Sequence, residues 1–262
     1  MTIFVFLLGL IFGSFANVVA LRVNTGESLI FGGSRCFSCS RRLRWFELVP
    51  LVSYIALRGR CRSCNAAISL QYPLVELASG CIFLLLFVFT PRGVLGVLPR
   101  GLPSGFLLPF VFFWLLLILS VYDLRHQILP DVLVGAAAAA AILVVMAEGI
   151  RDPKLILVHG LAGAGLFLFF GALWFFSGGR WMGLGDAKLS FAIGLFLGPV
   201  PALVALFLSF WMGAVVGIGW VLTHRIRTLK IPIPFGPFLA LGAFAAYLWY
   251  LPLIEWYLRL VV

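Results

Sequence analysis

Eight apolar stretches, near residues 3–21, 73–90, 105–122, 128–147, 155–176, 188–200, 202–222 and 236–257, occupy most of this 262-residue chain and decide what it can become. The hydrocarbon core of a bilayer is about 30 Å thick. Some twenty apolar residues wound as a helix therefore cross it, with every backbone group bonded inside the segment. Most of the stretches meet that length. The one at 188–200 is shorter and is expected to tilt, thin the bilayer locally or line protein rather than lipid. A hydrophobic content of 63% with only 11% charged residues excludes a soluble domain of this size. The fold class that follows is an all-α polytopic membrane protein of about eight transmembrane helices. Met1 and Thr2 bring no positive charge and no small-residue cleavage pattern follows, so the first stretch reads as a retained helix rather than a secretory signal.

A formal net charge of +10 invites a nucleic-acid reading, but the distribution of the charge argues for topology instead. With the N-terminus outside, the cytoplasmic loops hold Arg22, Arg35, Arg41, Arg42, Arg44, Arg58, Arg60, Arg62, Arg125, Arg180, Lys188, Arg225, Arg227 and Lys230, fourteen of the nineteen basic residues. Arg92, Arg100, Arg151, Lys154 and Arg259 fall outside. The excess of cytoplasmic Lys and Arg favours this orientation over its reverse. The expected partner is the lipid bilayer, and no nucleic acid is expected.

Only residues 22–72 read as a soluble module, between a first helix at 1–21 and a membrane domain at 73–262. Cys36 and Cys39 form one CxxC pair and Cys61 and Cys64 another, with twenty-one residues between the pairs. Two such turns can present four thiolates to one tetrahedral zinc. The rival reading is two disulfides, which needs an oxidising compartment, whereas the charge pattern puts this loop in the reducing cytoplasm. Four sulfur ligands would close the coordination sphere, so the zinc is expected to be structural. Cys81 lies in an apolar span and reads as an ordinary buried residue.

Of the nine acidic residues, Glu27, Glu47, Glu148, Asp152 and Glu255 suit solvated positions. Glu76, Asp123, Asp131 and Asp186 stand at or inside span ends, where ionisable groups are costly and become functional suspects. Asp123, in YDLRHQILPD, ends one span, and Asp186, in GLGDAK, opens another at the same membrane face. Two carboxylates sharing one proton supply both a base for water and an acid for a leaving nitrogen. Gly183 and Gly185 would permit tight backbone geometry and close substrate approach before Asp186. Lys188 either lowers the pKa of a neighbouring carboxylate or anchors at the headgroups. For Asp131, after Pro130, helix capping is the simpler role.

GSFANVVALR at 13–22, CFSC, VPLVSYIALRGRCRSC, ISLQYPLVE, YDLRHQILPD, GLGDAKL and IPIPFGPFLALGA at 231–243 occur in one order over nearly the whole chain. Together they resemble the type IV prepilin peptidase family, the bifunctional leader peptidase and N-methyltransferases of the GxGD aspartic class. The resemblance implies that Asp123 and Asp186 are the catalytic pair of an intramembrane aspartic endopeptidase. It implies prepilin or pseudopilin substrates, cut after a short basic leader, and methylation of the new N-terminus from S-adenosylmethionine. It also associates Gly59, Arg60 and Glu76 with methyl transfer and places the protein in the bacterial inner membrane. The stretch RVNTGESLIFGGSRC departs from the family's usual proline-bearing form. Two alternatives stand beside this reading: a peptidase without methyltransferase activity, and a proton-coupled transporter in which the same carboxylates relay protons. No internal repeat of the kind transporters carry is visible.

Overall fold

The computed structural model describes residues 1–89, 104–150, 152–224 and 234–261, and the expectations placed on Arg92, Arg100, Arg151, Arg225, Arg227, Lys230 and residues 231–233 fall outside these. The helices are α1 (Thr2–Arg22), α2 (Val52–Ala56), α3 (Gln71–Phe89), α4 (Ser104–His126), α5 (Asp131–Gly149), α6 (Pro153–Ser177), α7 (Leu184–Leu197), α8 (Pro199–His224) and α9 (Gly236–Val261). Among the described residues the only β features are two isolated bridges, Arg35 with Arg42 and Arg60 with Ala67. Among the described residues seven helices, all but α2 and α7, are long and apolar enough to cross a membrane. The chain is a multi-pass membrane protein. The short stretch expected near 188–200 is α7, whose 14 residues rise only about 21 Å. Ala187, Leu189, Ser190 and every residue from Ala192 to Leu197 are buried on it, so it lines protein. Helix α9 bends where Trp249 leaves helical geometry, close to Pro252, whose ring and missing N–H break the ladder.

The chain falls into two compact units, residues 1–89 and 90–262, so α3 belongs with α1 and the cysteine module. In the first unit, α1 and α3 touch backbone to backbone. A Cβ added at Gly13 would stand 2.6 Å from Glu76 Cα, and one at Gly9 2.8 Å from Gly80 Cα. Inside a bilayer such contact is a main source of helix pairing, because lipid tails compete fully with larger apolar side chains. The α3 face turned to α1 is Val75, Glu76, Ser79, Gly80, Phe83 and Leu86. Cys81 lies off that face and is exposed, which corrects the expectation that it is buried.

In the second unit, α7 packs against α5 and α6, while α4 packs against α5 and α9. An aromatic cluster joins α4, α7 and α9: Phe112 stacks on Phe196 at 4.0 Å, and Phe113 meets Phe196 at 5.4 Å and Phe244 at 5.1 Å. These three helices carry Asp123, Asp186 and Gly236, so packing of rings fixes the elements that bear the polar groups.

Candidate active site and metal centre

Asp123 sits in the last turn of α4. Its carbonyl accepts from the Gln127 amide at 2.8 Å, and Gln127 takes a left-handed φ of 54°, which ends the helix and turns the chain through Ile128–Pro130 into α5. Asp186 lies in the first turn of α7. Both line one cavity of about 270 Å³, together with Gln127, Ile128, Leu129, Asp131, Gly183, Leu184 and Gly185. The two carboxylates thus face the same cavity from α4 and α7. Asp123 is buried and Asp186 is half-buried.

One oxygen of each carboxylate is held by a backbone amide. Gly236 N donates to Asp123 Oδ2 at 2.9 Å, and Gly183 N donates to Asp186 Oδ2 at 3.2 Å. Neither aspartate takes part in the three ion pairs formed among the described residues. Two carboxyls facing one cavity can share a single proton. Such a pair can take a proton from water and give one to an amine.

Gly236 is the residue that reading the sequence did not single out. A Cβ there would stand 2.7 Å from Asp123 Oδ2 and 3.4 Å from Leu129 Cδ2. Leu129 is buried and also reaches Gly185, where a Cβ would come within 3.1 Å of its own Cβ. The glycine at 185 therefore makes room for Leu129 rather than supplying special backbone geometry. Gly183 takes an ordinary φ of −78° and contributes its amide. Lys188 Nζ lies 2.7 Å from Asp131 Oδ1, an ion pair between the N-terminal turns of α5 and α7. This corrects the capping expectation for Asp131: Pro130 holds the N-cap position, and the Asp131 carboxylate makes no cap bond.

The cysteine centre is built from two knuckles of the same design. Cys36 N bonds Arg41 O and Ser40 N bonds Cys36 O; Cys61 N bonds Ala66 O and Asn65 N bonds Cys61 O. Ser40 and Asn65 take left-handed φ of 56° and 58°, closing each turn. All four Sγ atoms lie within 4.8 Å of one another, and Cys36 Sγ is 3.8 Å from Cys64 Sγ. A tetrahedron with metal–sulfur bonds of about 2.3 Å has edges of about 3.8 Å. A disulfide would need about 2.05 Å. The amides of Cys64 and Ser63 bring the Cys61 thiol down to about 6, and those of Cys39 and Ser38 lower Cys36. Cys64 goes the other way, to about 11: the Ala66 amide lowers it, but burial and the hydrogen bonds with neighbouring thiols outweigh that pull. Four adjacent sulfurs cannot all ionise unaided, and a divalent cation removes that conflict.

The knuckles are braced from inside. Glu47, expected at a solvated position, is instead buried, because it accepts from Arg41 Nη2 at 2.6 Å and from Arg44 N at 2.8 Å. Glu76 is also buried, and its Oε2 accepts from Leu51 N at 2.8 Å. Leu51 has φ of 60°, a costly value for a branched side chain, so Glu76 holds a strained turn at the start of α2. Gly59 is buried with φ of 67°, and a Cβ there would stand 2.8 Å from the Tyr54 hydroxyl. Arg60 is exposed.

Residues 7–90 match the model of the bacterial peptidase A24 N-terminal domain, and residues 110–218 match that of the type IV leader peptidase family. A prepilin leader peptidase/N-methyltransferase of Aeromonas salmonicida (strain A449) is 31% identical over 98% of this chain and 94% of its own. The chain belongs to the type IV leader peptidase family. Proteins of the same name from Pseudomonas putida and Bacillus subtilis (strain 168) are 34% and 32% identical, covering 92% and 98% of this chain and 88% and 98% of theirs. No solved structure matches. The first family model ends where the first compact unit ends, at the close of α3.

Proposed function

We propose that the chain cleaves the short basic leader from type IV prepilins or related pseudopilins, with Asp123 and Asp186 as the catalytic pair, and then methylates the new N-terminus. The reading is supported by the relatives' shared name and near-complete coverage. The observation that carries it is the pair of carboxylates, from α4 and α7, facing one cavity. In the reaction one aspartate, ionised, takes a proton from water as the water oxygen attacks the peptide carbonyl. The other, protonated, gives its proton to the departing amine as the carbon–nitrogen bond breaks. The amides of Gly236 and Gly183 fix the two acids while their protons exchange.

The four cysteines fit a zinc ion by spacing and donor chemistry, and a zinc held by all four would supply structural cross-linking of the two knuckles. S-adenosylmethionine is the methyl donor that the relatives' name suggests. Gly59 and Glu76 are spent on the module's own packing, so their part in methyl transfer is to shape the module, and Arg60 is the one of the three left exposed. The excess of basic residues in alternate loops supports placement in the inner membrane, with module and carboxylates on the cytoplasmic side.

The test incubates purified protein with a synthetic prepilin and S-adenosylmethionine and reads both products by mass spectrometry. Asp123→Asn and Asp186→Asn each lose cleavage while retaining methylation of a pre-cleaved pilin. Full cleavage by either variant removes that residue from the chemistry. A wild type that cleaves without methylating favours a peptidase alone. Cys61→Ser lowers bound zinc, and undiminished zinc would refute the four-sulfur site.

A further inference from the structure

We infer that residues 23–34, between α1 and the first cysteine knuckle, form an interfacial loop whose tip, Ile30 and Phe31, inserts into the lipid leaflet at the C-terminal end of α1. Three features of the first unit converge on this. The first is where the loop goes. The large apolar residues Ile3, Phe4, Leu7, Ile11 and Phe15 are all exposed on α1. They recur every three or four residues and so form one stripe, which on a spanning helix faces lipid. The chain does not leave α1 along its axis. Leu29, Ile30, Gly33 and Ser34 line an open groove of about 390 Å³ together with Phe15, Val18 and Arg22. Phe15 lies seven residues, about 10 Å of rise, back from the helix end. The loop thus folds back along the lipid-facing stripe to the depth of the last turns of a membrane span.

The second feature is that both tip amides and two of the loop's carbonyls find their partners within the protein. Arg22 Nη1 donates to Ser28 O at 2.7 Å and Nη2 to Gly33 O at 3.2 Å, while Nε lies 3.4 Å from Glu27 Oε2. Ser28 Oγ accepts from the amides of both tip residues, Ile30 N at 3.3 Å and Phe31 N at 3.0 Å. Gly32 and Gly33, with φ of 116° and 45°, let the chain return. Backbone that enters lipid must have its groups satisfied internally, and the amides of this tip are.

The third is composition. Ile30 and Phe31 are 81% and 79% exposed, a large cost in water and none in acyl chains. Between residues 22 and 72 the chain carries eight arginines against two glutamates, a surface drawn to anionic headgroups. The same charge repels a basic peptide leader, which favours lipid over that part of a prepilin as the tip's occupant.

The experiment replaces Phe31 with the photo-crosslinker p-benzoylphenylalanine in the full-length, zinc-loaded protein. The protein is placed in nanodiscs of phosphatidylcholine containing phosphatidylglycerol, irradiated with and without synthetic prepilin, and weighed intact. A gain of one phospholipid mass, unaffected by the peptide, is the expected result. A cross-link to the prepilin, to the protein itself, or to nothing overturns the proposal. A second measurement follows hydrogen exchange of residues 26–34 in the same discs. Wild type shows slowed exchange there, and the double variant Ile30→Ser, Phe31→Ser loses that protection with its zinc content unchanged. Equal exchange in the two proteins also overturns it. Both readouts are independent of peptidase activity.

Discussion

Replacing Gly236 by alanine tests the candidate active site at the contact that defines it. The added Cβ would stand 2.7 Å from Asp123 Oδ2, where an ordinary contact begins at 3.4 Å, so carboxylate or helix start must yield by about 0.7 Å. Both partners are constrained: Asp123 is buried, and Gly236 opens α9, packed through Phe244 onto Phe113. The shift also stretches the 2.9 Å bond that the Gly236 amide gives to the carboxylate. Misplacing a catalytic group by about 1 Å costs roughly 100-fold in rate. A 0.7 Å displacement with a weakened charge-assisted bond is expected to lower kcat by about 10- to 100-fold, or about 1.4–2.8 kcal/mol of barrier. The assay is leader cleavage by purified protein over a range of prepilin concentrations, with methylation of a pre-cleaved pilin and zinc content as controls. KM and both controls should hold while kcat falls. A Gly236→Ala enzyme with wild-type kcat would refute the claim that this amide positions a reacting carboxylate.

The ion pair between Lys188 and Asp131 is well formed at 2.7 Å, but its side chains are 41% and 74% exposed, so Lys188→Met should cost under about 1 kcal/mol and lower the melting temperature by no more than about 2–4 °C in a thermal melt. Glu76→Ala leaves the half-buried Leu51 amide without its acceptor and should destabilise the cysteine module by about 1–3 kcal/mol, seen as faster zinc loss to a chelator, while Glu76→Gln keeps an acceptor oxygen and restores most of it. The Arg41 guanidinium, then the Arg44 amide, hold the Glu47 carboxyl below its usual value. A lowered carboxylate stabilises the fold at pH above its unfolded value of about 4.3 and loses that contribution as pH falls through the folded value. The difference in zinc-release midpoint between wild type and Glu47→Gln should therefore stay constant from neutral pH down to the ordinary carboxylate range and shrink below it; a difference that grows on acidification would contradict the pairing.

The spans were legible because apolar length is written directly in the chain, including the shortness that marks α7. The cysteine centre was legible for a related reason: each CxxC turn is closed by its own local hydrogen bonds, so spacing carries most of its geometry. What the sequence does not carry is helix rotation. The bond from Gly236 to Asp123 joins residues 113 positions apart, and Lys188 meets Asp131 across 57. Both depend on which faces of α4, α5, α7 and α9 turn inward, and that is settled by rings such as Phe112 and Phe196 packing elsewhere. Asp131 shows the same limit at one residue's scale. Pro130 takes the capping position, so the acid moves inside the helix and finds a cation. Cys81 was misplaced because apolar surroundings in sequence do not distinguish a helix face against protein from one against lipid.

Cutting a peptide bond consumes a water molecule, and hydrocarbon holds almost none. Helix α7 falls about 9 Å short of the slab it stands in, a gap roughly three solvent layers deep. Leu195 to Leu197 are buried at its far end, whereas Gly183 to Asp186 line the cavity at the other, so water can make up the missing length there. A brief helix is thus a means of irrigation: it leaves room for water beside the Asp186 carboxylate, in the cavity that this end of α7 lines.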